Sequence, residues 1–121
     1  MASCKVYRGS AEFVGHVEEE GGYYNIYRGW TDHLGWIEQE GGYYTAYQAT
    51  THRCIGRVKP EGEDYRVYRD WTHLVGYLHR EGGQYRVYRE RTGPVGLVEL
   101  ENTNQVIPLL LSGGAALLLL W

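Results

Sequence analysis

Five tyrosines and five glycines recur along this chain at a fixed spacing, and that spacing constrains the fold more than any other feature. Tyr7, Tyr27, Tyr47, Tyr68 and Tyr88 hold one slot, and Gly15, Gly35, Gly56, Gly76 and Gly96 hold another. Each of the first four glycines is followed by a tyrosine twelve residues on, and each tyrosine by a glycine eight residues on, nine in the third copy. A short fixed period marks an architecture assembled from copies of one supersecondary unit. Seventeen Gly, twelve Tyr, four Trp and a single Met favour strands and tight turns over helices.

A length of 121 residues suits one domain, residues 1–121, able to bury a core. The formal charge of −3 and a pI near 5.9 give no nucleic-acid footprint. Arg8, Arg28, Arg69 and Arg89 recur, but Glu18, Glu19, Glu20, Glu38 and Glu40 offset them, so no basic face is expected. Met1 to Lys5 enters the first repeat at once and leaves no room for a signal peptide; the expected location is cytoplasmic, or exported without one. Cys4 and Cys54 fall in different slots, make no metal-ligand spacing and read as free thiols.

The tail from Asn102 to Trp121 carries no charge and is largely apolar from Val106. As a helix it is short for a membrane span, and Pro108 and Gly113-Gly114 interrupt it. Laid on the repeat ruler, Pro108 falls in the Tyr slot, Ser112 in a Thr slot and Ala116 in the Gly slot. Leu118 then joins Val17, Ile37, Val58, Leu78 and Val98. This register predicts a sixth, apolar hairpin.

Gly21-Gly22, Gly41-Gly42, Gly62-Glu63, Gly82-Gly83 and Asn102-Thr103 each follow a slot glutamate and suit two-residue hairpin loops. A sixth turn would fall at Met1-Ala2, so the termini would meet and strands 3–8 and 115–121 would pair. Closure of that kind removes both sheet edges. In the first hairpin Val17 should face Ile26, His16 face Tyr27 and Gly15 face Arg28, with Val17, Ile26 and Tyr24 on one side and Val14 and Tyr27 on the other. The Tyr slot itself reads as a core ladder.

Twelve strands in one simple barrel would leave a lumen too wide to fill with side chains. Trp36, Tyr77 and Leu117 follow the slot glycine in even units, but His16, Arg57 and Leu97 in odd ones, which suggests a period near forty present three times. Three such units resemble a β-trefoil, with a β-prism and an open β-hairpin solenoid as alternatives. Gly35-Trp36, Gly41 and Tyr43-Tyr44 also resemble the choline-binding and cell-wall-binding repeats, which form such solenoids. The trefoil resemblance implies an all-β, closed array of six hairpins and a lectin-like role.

No nucleophile, base and orienting group stand at catalytic spacing, so a non-enzymatic protein without cofactor or metal is expected. His33, His52 and His73 occupy similar connector positions, where a threefold axis would gather them. The long connectors are the expected working surface. Trp30, Thr31, Asp32 and His33 in one, and Asp70, Trp71, Thr72 and His73 in another, place indoles beside hydroxyl, carboxylate and imidazole groups. That combination suits glycans, with an apolar face to stack and hydroxyls to hydrogen-bond. The expected function is therefore multivalent glycan binding. The alternative is a self-assembling structural protein, a homodimer through Leu109, Leu110, Leu119 and Trp121, since a sixth hairpin would expose one apolar face. Membrane contact ranks behind it.

Overall fold

The computed structural model describes residues 3–9, 11–20, 23–70, 72–81, 84–100 and 107–121. Within these residues ten strands precede one helix: β1 (Ser3–Arg8), β2 (Glu12–Glu20), β3 (Tyr23–Arg28), β4 (Asp32–Glu40), β5 (Tyr43–Gln48), β6 (Cys54–Glu61), β7 (Asp64–Tyr68), β8 (Leu74–Glu81), β9 (Gln84–Arg89), β10 (Gly93–Leu100) and α1 (Ile107–Leu119). All ten strands join in sequence order into one closed antiparallel barrel, and α1 lies along its interior, touching every strand.

The hairpin pairing follows the repeat. Val17 faces Ile26, His16 faces Tyr27 and Gly15 faces Arg28, as expected. In the described turns, Glu40 pairs with Tyr43 and Glu61 with Asp64, so each loop holds two residues. Gly41 and Gly62 take φ of 64° and 65°, the left-handed entry that the first loop position of such a hairpin requires. Met1-Ala2, Gly21-Gly22, Gly82-Gly83 and Asn102-Thr103 lie outside the described residues.

Inward-facing side chains form a belt, one per strand: Val6, Val17, Ile26, Ile37, Ala46, Val58, Val67, Leu78, Val87 and Val98, all fully buried. These residues meet as directly opposed pairs across each two-residue-loop hairpin, and Val6 with Val98 at the closing seam. Two residues from the belt, Cys4, Tyr24, Tyr44, Tyr65 and Tyr85 form the next inward layer towards the hairpin end. The sheet bends at five equivalent bulges, at Val14, Leu34, Ile55, Val75 and Val95, where two residues oppose one. A bulge raises local twist and bends a strand, so one per repeat curls the sheet closed. It also turns the bulged aliphatic residue back onto the core, which is why Val14 packs inward rather than sharing the outer face with Tyr27.

The largest correction concerns the tail. Its described part, residues 107–121, forms a helix inside the barrel and not a strand pair, so β1 pairs with β10, Val6 opposite Val98, and not with residues 115–121. The trefoil reading fails with it. Removing the tail from the sheet leaves five hairpins, an odd number that no forty-residue alternation can divide, and the open solenoid is excluded by closure. The objection to a single wide barrel also lapses, because a helix of about 10 Å diameter fills the lumen. A helix apolar on every side belongs in a core. Leu110, Leu111, Ala115, Ala116, Leu117, Leu118 and Leu119 are all buried. Leu110 and Leu119 therefore face the barrel interior rather than a second copy, Trp121 packs against the same core, and the side chain of Leu109 lies outside the described parts. Pro108 sits in the first helical turn, where its missing N–H breaks no bond.

The repeated glycine now has a physical cause. A Cβ at each slot glycine would strike the backbone carbonyl oxygen of the slot tyrosine on the neighbouring strand. It would also meet the helix end: at Gly15 2.8 Å from Leu117, at Gly96 2.8 Å from Leu118, at Gly76 2.8 Å from Leu119, at Gly56 2.5 Å from Leu120 and at Gly35 3.0 Å from Trp121. Five consecutive residues thus enter five sockets in order around the barrel. An α-helix turns about 100° per residue, whereas five repeats offer a socket about every 72°. The final turn widens accordingly: the Trp121 N–H donates to the Ala116 carbonyl five residues back, at 3.3 Å. Midway along the helix, Gly113 abuts Val17 and Gly114 abuts Val98 of the belt. No described helix is long and apolar enough to cross a membrane.

Candidate functional site

The core fills the barrel, so the outward-facing side chains and the connectors carry whatever chemistry the described residues offer. Strand alternation puts the Tyr slot outside, half-buried, because Val6 and Ile26 beside it point in. The core-ladder expectation is therefore corrected for that slot; the inward tyrosines are Tyr24, Tyr44, Tyr65 and Tyr85. On the outside, Tyr27 donates to Glu20 at 2.6 Å and Tyr68 to Glu61 at 3.1 Å, while Tyr47 donates to Glu40 and Tyr88 to Glu81. The slot glutamate and slot tyrosine are thus one repeated clamp. Hydrogen bonding to Glu20, followed by burial, pushes the Tyr27 hydroxyl up to about 12. Tyr47 is raised by its bond to Glu40, and Glu81 is held below the usual carboxylate range by Tyr88 and Arg86.

Rings stack beside these clamps: His16 on Tyr27 at 4.8 Å, Trp36 on Tyr47 at 5.4 Å and Tyr77 on Tyr88 at 5.0 Å. His16 is only 5% exposed, with Nδ1 2.9 Å from the Gly29 carbonyl and Nε2 2.9 Å from Glu18. On the far side of the barrel His79 pairs with Asp64 at 2.6 Å, which raises the imidazole pKa.

The residues expected to bind are split. Trp30 is 63% exposed, stacks on Phe13 at 4.5 Å, lies 5.2 Å from the His16 ring and has the Lys5 ammonium 5.7 Å from its centroid. Thr31, Asp32 and His33 are exposed beside it; His33 rests against Tyr27 and places Nε2 3.1 Å from Asn25 Oδ1. In the β7–β8 connector, the Asp70 carboxylate accepts from the Thr72 N–H at 3.0 Å and the His73 N–H at 2.8 Å. Those bonds hold Asp70 below its usual pKa and occupy it in shaping its own loop. Trp71 lies outside the described residues. The β5–β6 connector stands between the two sets, so they form no common site. Five repeats have no threefold axis to gather His33, His52 and His73, and the described residues contain no cluster of metal-ligating side chains. His52 packs on Trp36 instead.

Two concave sites escaped the sequence reading. Tyr23, Asn25, Trp36 and Glu38 line a cleft of about 220 Å³ on the outer face of β3 and β4. Asn25 and Trp36 are register partners, Tyr23 meets the indole edge-on at 6.5 Å, and the indole N–H donates to Glu38 at 2.7 Å. Strand alternation alone groups Tyr23 with Asn25 and Trp36 with Glu38, but the bulge at Leu34 sets which pair faces which. A larger cleft of about 380 Å³ lies between the β7–β8 and β9–β10 connectors, lined by Arg69, His73, Leu74, Val75, Arg89, Glu90 and Arg91. Comparison with protein-family models, curated proteins and solved structures returns no significant match.

Proposed function

We propose that this barrel is a non-enzymatic glycan-binding protein whose Tyr23–Asn25–Trp36–Glu38 cleft takes one sugar ring. The observation that carries the reading is the composition of that cleft: one indole, one phenol, one amide and one carboxylate around about 220 Å³. Drug-sized pockets run roughly 300–1,000 Å³, so this one suits a single ring. Tyr23, 51% exposed, and Trp36 offer apolar surface to the sugar's axial hydrogens. Glu38 uses Oε2 for the indole N–H and Asn25 uses Oδ1 for His33, which leaves a carboxylate oxygen and an amide nitrogen for sugar hydroxyls. Trp30, on the connector of the same hairpin, is a second exposed platform for a longer chain.

The cleft belongs to one repeat. Register-equivalent positions hold Lys5 and His16, Thr45 and Arg57, Arg66 and Tyr77, or Arg86 and Leu97. Multivalency would therefore come from several barrels and not from several copies within one.

A glycan array, followed by titration monitored through tryptophan fluorescence, tests the proposal. Asn25→Ala and Glu38→Gln should each weaken binding at least tenfold, about 1.4 kcal/mol, with unchanged melting. Absence of any glycan binding at millimolar concentration, or binding indifferent to both substitutions, refutes it.

A further inference from the structure

The outer surface is divided by charge. Nine of the twelve Lys and Arg lie between Arg53 and Arg91, against six of the fifteen Asp and Glu. Residues 1–52 reverse the balance, with three bases and seven acids. Because the strands close in sequence order, these segments occupy opposite sides of the barrel. Several cations on the basic side are engaged: Arg66 with Glu61 at 3.5 Å, Arg86 with Glu81 at 3.0 Å, and Lys59 over the Tyr68 ring at 5.7 Å.

The connector end differs. Arg69, Arg89 and Arg91 line the 380 Å³ cleft together with His73, Leu74 and Val75. Glu90 lines the same cleft, yet among the described residues no carboxylate reaches ion-pair distance of these three guanidiniums. Arg89 is anchored, since Nη2 donates to the Leu118 carbonyl at 3.5 Å and so supplies the cation that the helix C-terminus lacks. Arg91 is held at φ 72°, a left-handed conformation that side-chain-bearing residues rarely adopt. Strain of that kind persists where the surrounding structure overrides it, and binding sites are among the places where it collects.

We propose that this cleft binds a phosphate or sulfate monoester. Guanidinium forks match tetrahedral oxyanions through paired, charge-assisted hydrogen bonds. The basic side raises the local concentration of such anions. The cleft is larger than a bare oxyanion, so it accommodates the small polar group that carries the ester. The site shares no residue with the Tyr23–Trp36 cleft and does not depend on the glycan reading.

Calorimetric titration of the full chain at constant ionic strength tests the proposal, with glucose 6-phosphate, glucose 6-sulfate, inorganic phosphate, inorganic sulfate and glucose as probes. At least one ester should bind, glucose should not bind at this cleft, and comparison of the two esters identifies the preferred oxyanion. Arg69→Ala with Arg91→Ala should weaken the ester at least tenfold. Arg91→Gly alone relieves the positive φ, so it should weaken binding while the melting temperature holds or rises, which separates a binding role from a structural one. The proposal is overturned if no ester binds at millimolar concentration, or if binding survives both variants. It is equally overturned if an oligonucleotide binds the basic side more tightly than the esters and is indifferent to the substitutions.

Discussion

Gly114→Ala reverses an ordinary rule. In an exposed helix interior, Gly to Ala gains about 1 kcal/mol of propensity. Here a Cβ would stand 2.5 Å from Val98 Cγ2 and 3.2 Å from Cγ1, deep in the belt. Overpacking of a filled core costs roughly 1–3 kcal/mol, and closed strands give the valine little room to retreat. The two contributions leave a net destabilisation of about 0–2 kcal/mol. At this chain length that lowers the melting temperature by up to roughly 10 °C. Thermal and urea melts followed by circular dichroism would measure it. Val98→Ala in the same chain should recover part of the loss, a coupling on the order of 1 kcal/mol, because the two residues share one contact. A stabilised Gly114→Ala protein, or strict additivity with Val98→Ala, would refute the placement of the helix against this wall.

Two further outcomes follow from the tyrosine clamps and the thiols. Tyr27 titrates at about 12 instead of 10.0, and Tyr24, Tyr44, Tyr47, Tyr65, Tyr68 and Tyr88 are also raised, so the folded chain holds these protons more tightly than the unfolded one. That stabilisation is complete below pH 10 and is lost as pH rises towards 12; phenolate absorbance should lag until the barrel unfolds, and Glu20→Gln should narrow the lag, whereas an unshifted midpoint near 10 in folded protein contradicts the clamps. Cys54 is exposed and Cys4 is buried, its thiol donating to the Leu110 carbonyl at 3.4 Å, so a thiol reagent should label Cys54 at once and Cys4 only on unfolding; equal rates would contradict the seated helix.

The local architecture is legible in the order of residues. The Gly and Tyr period set five hairpins, the two-residue loops set their register, and period-two alternation placed Val17, Ile26 and Tyr24 on one face. Closure was legible too, because a repeat of edge-forming hairpins is relieved by pairing its ends. The charge division was also present in the order of residues, though it becomes a surface only when the strands curl round.

What remains depends on the closed barrel and its filling. Residues 107–121 match the repeat ruler and are apolar on every side, so local pattern fits a buried strand pair as well as a buried helix. The lumen chooses the helix, because only there do Leu117 to Trp121 find five glycine sockets and Gly113 and Gly114 find Val17 and Val98. With the tail withdrawn, the pseudo-threefold count became fivefold, and connectors expected to converge were held apart by a third. The bulges, one residue each, then set which outer side chains face one another, pairing Asn25 with Trp36 and so building the cleft. Cross-strand neighbours depend on register shifts and on what fills the interior, and both are properties of the closed barrel rather than of any one repeat.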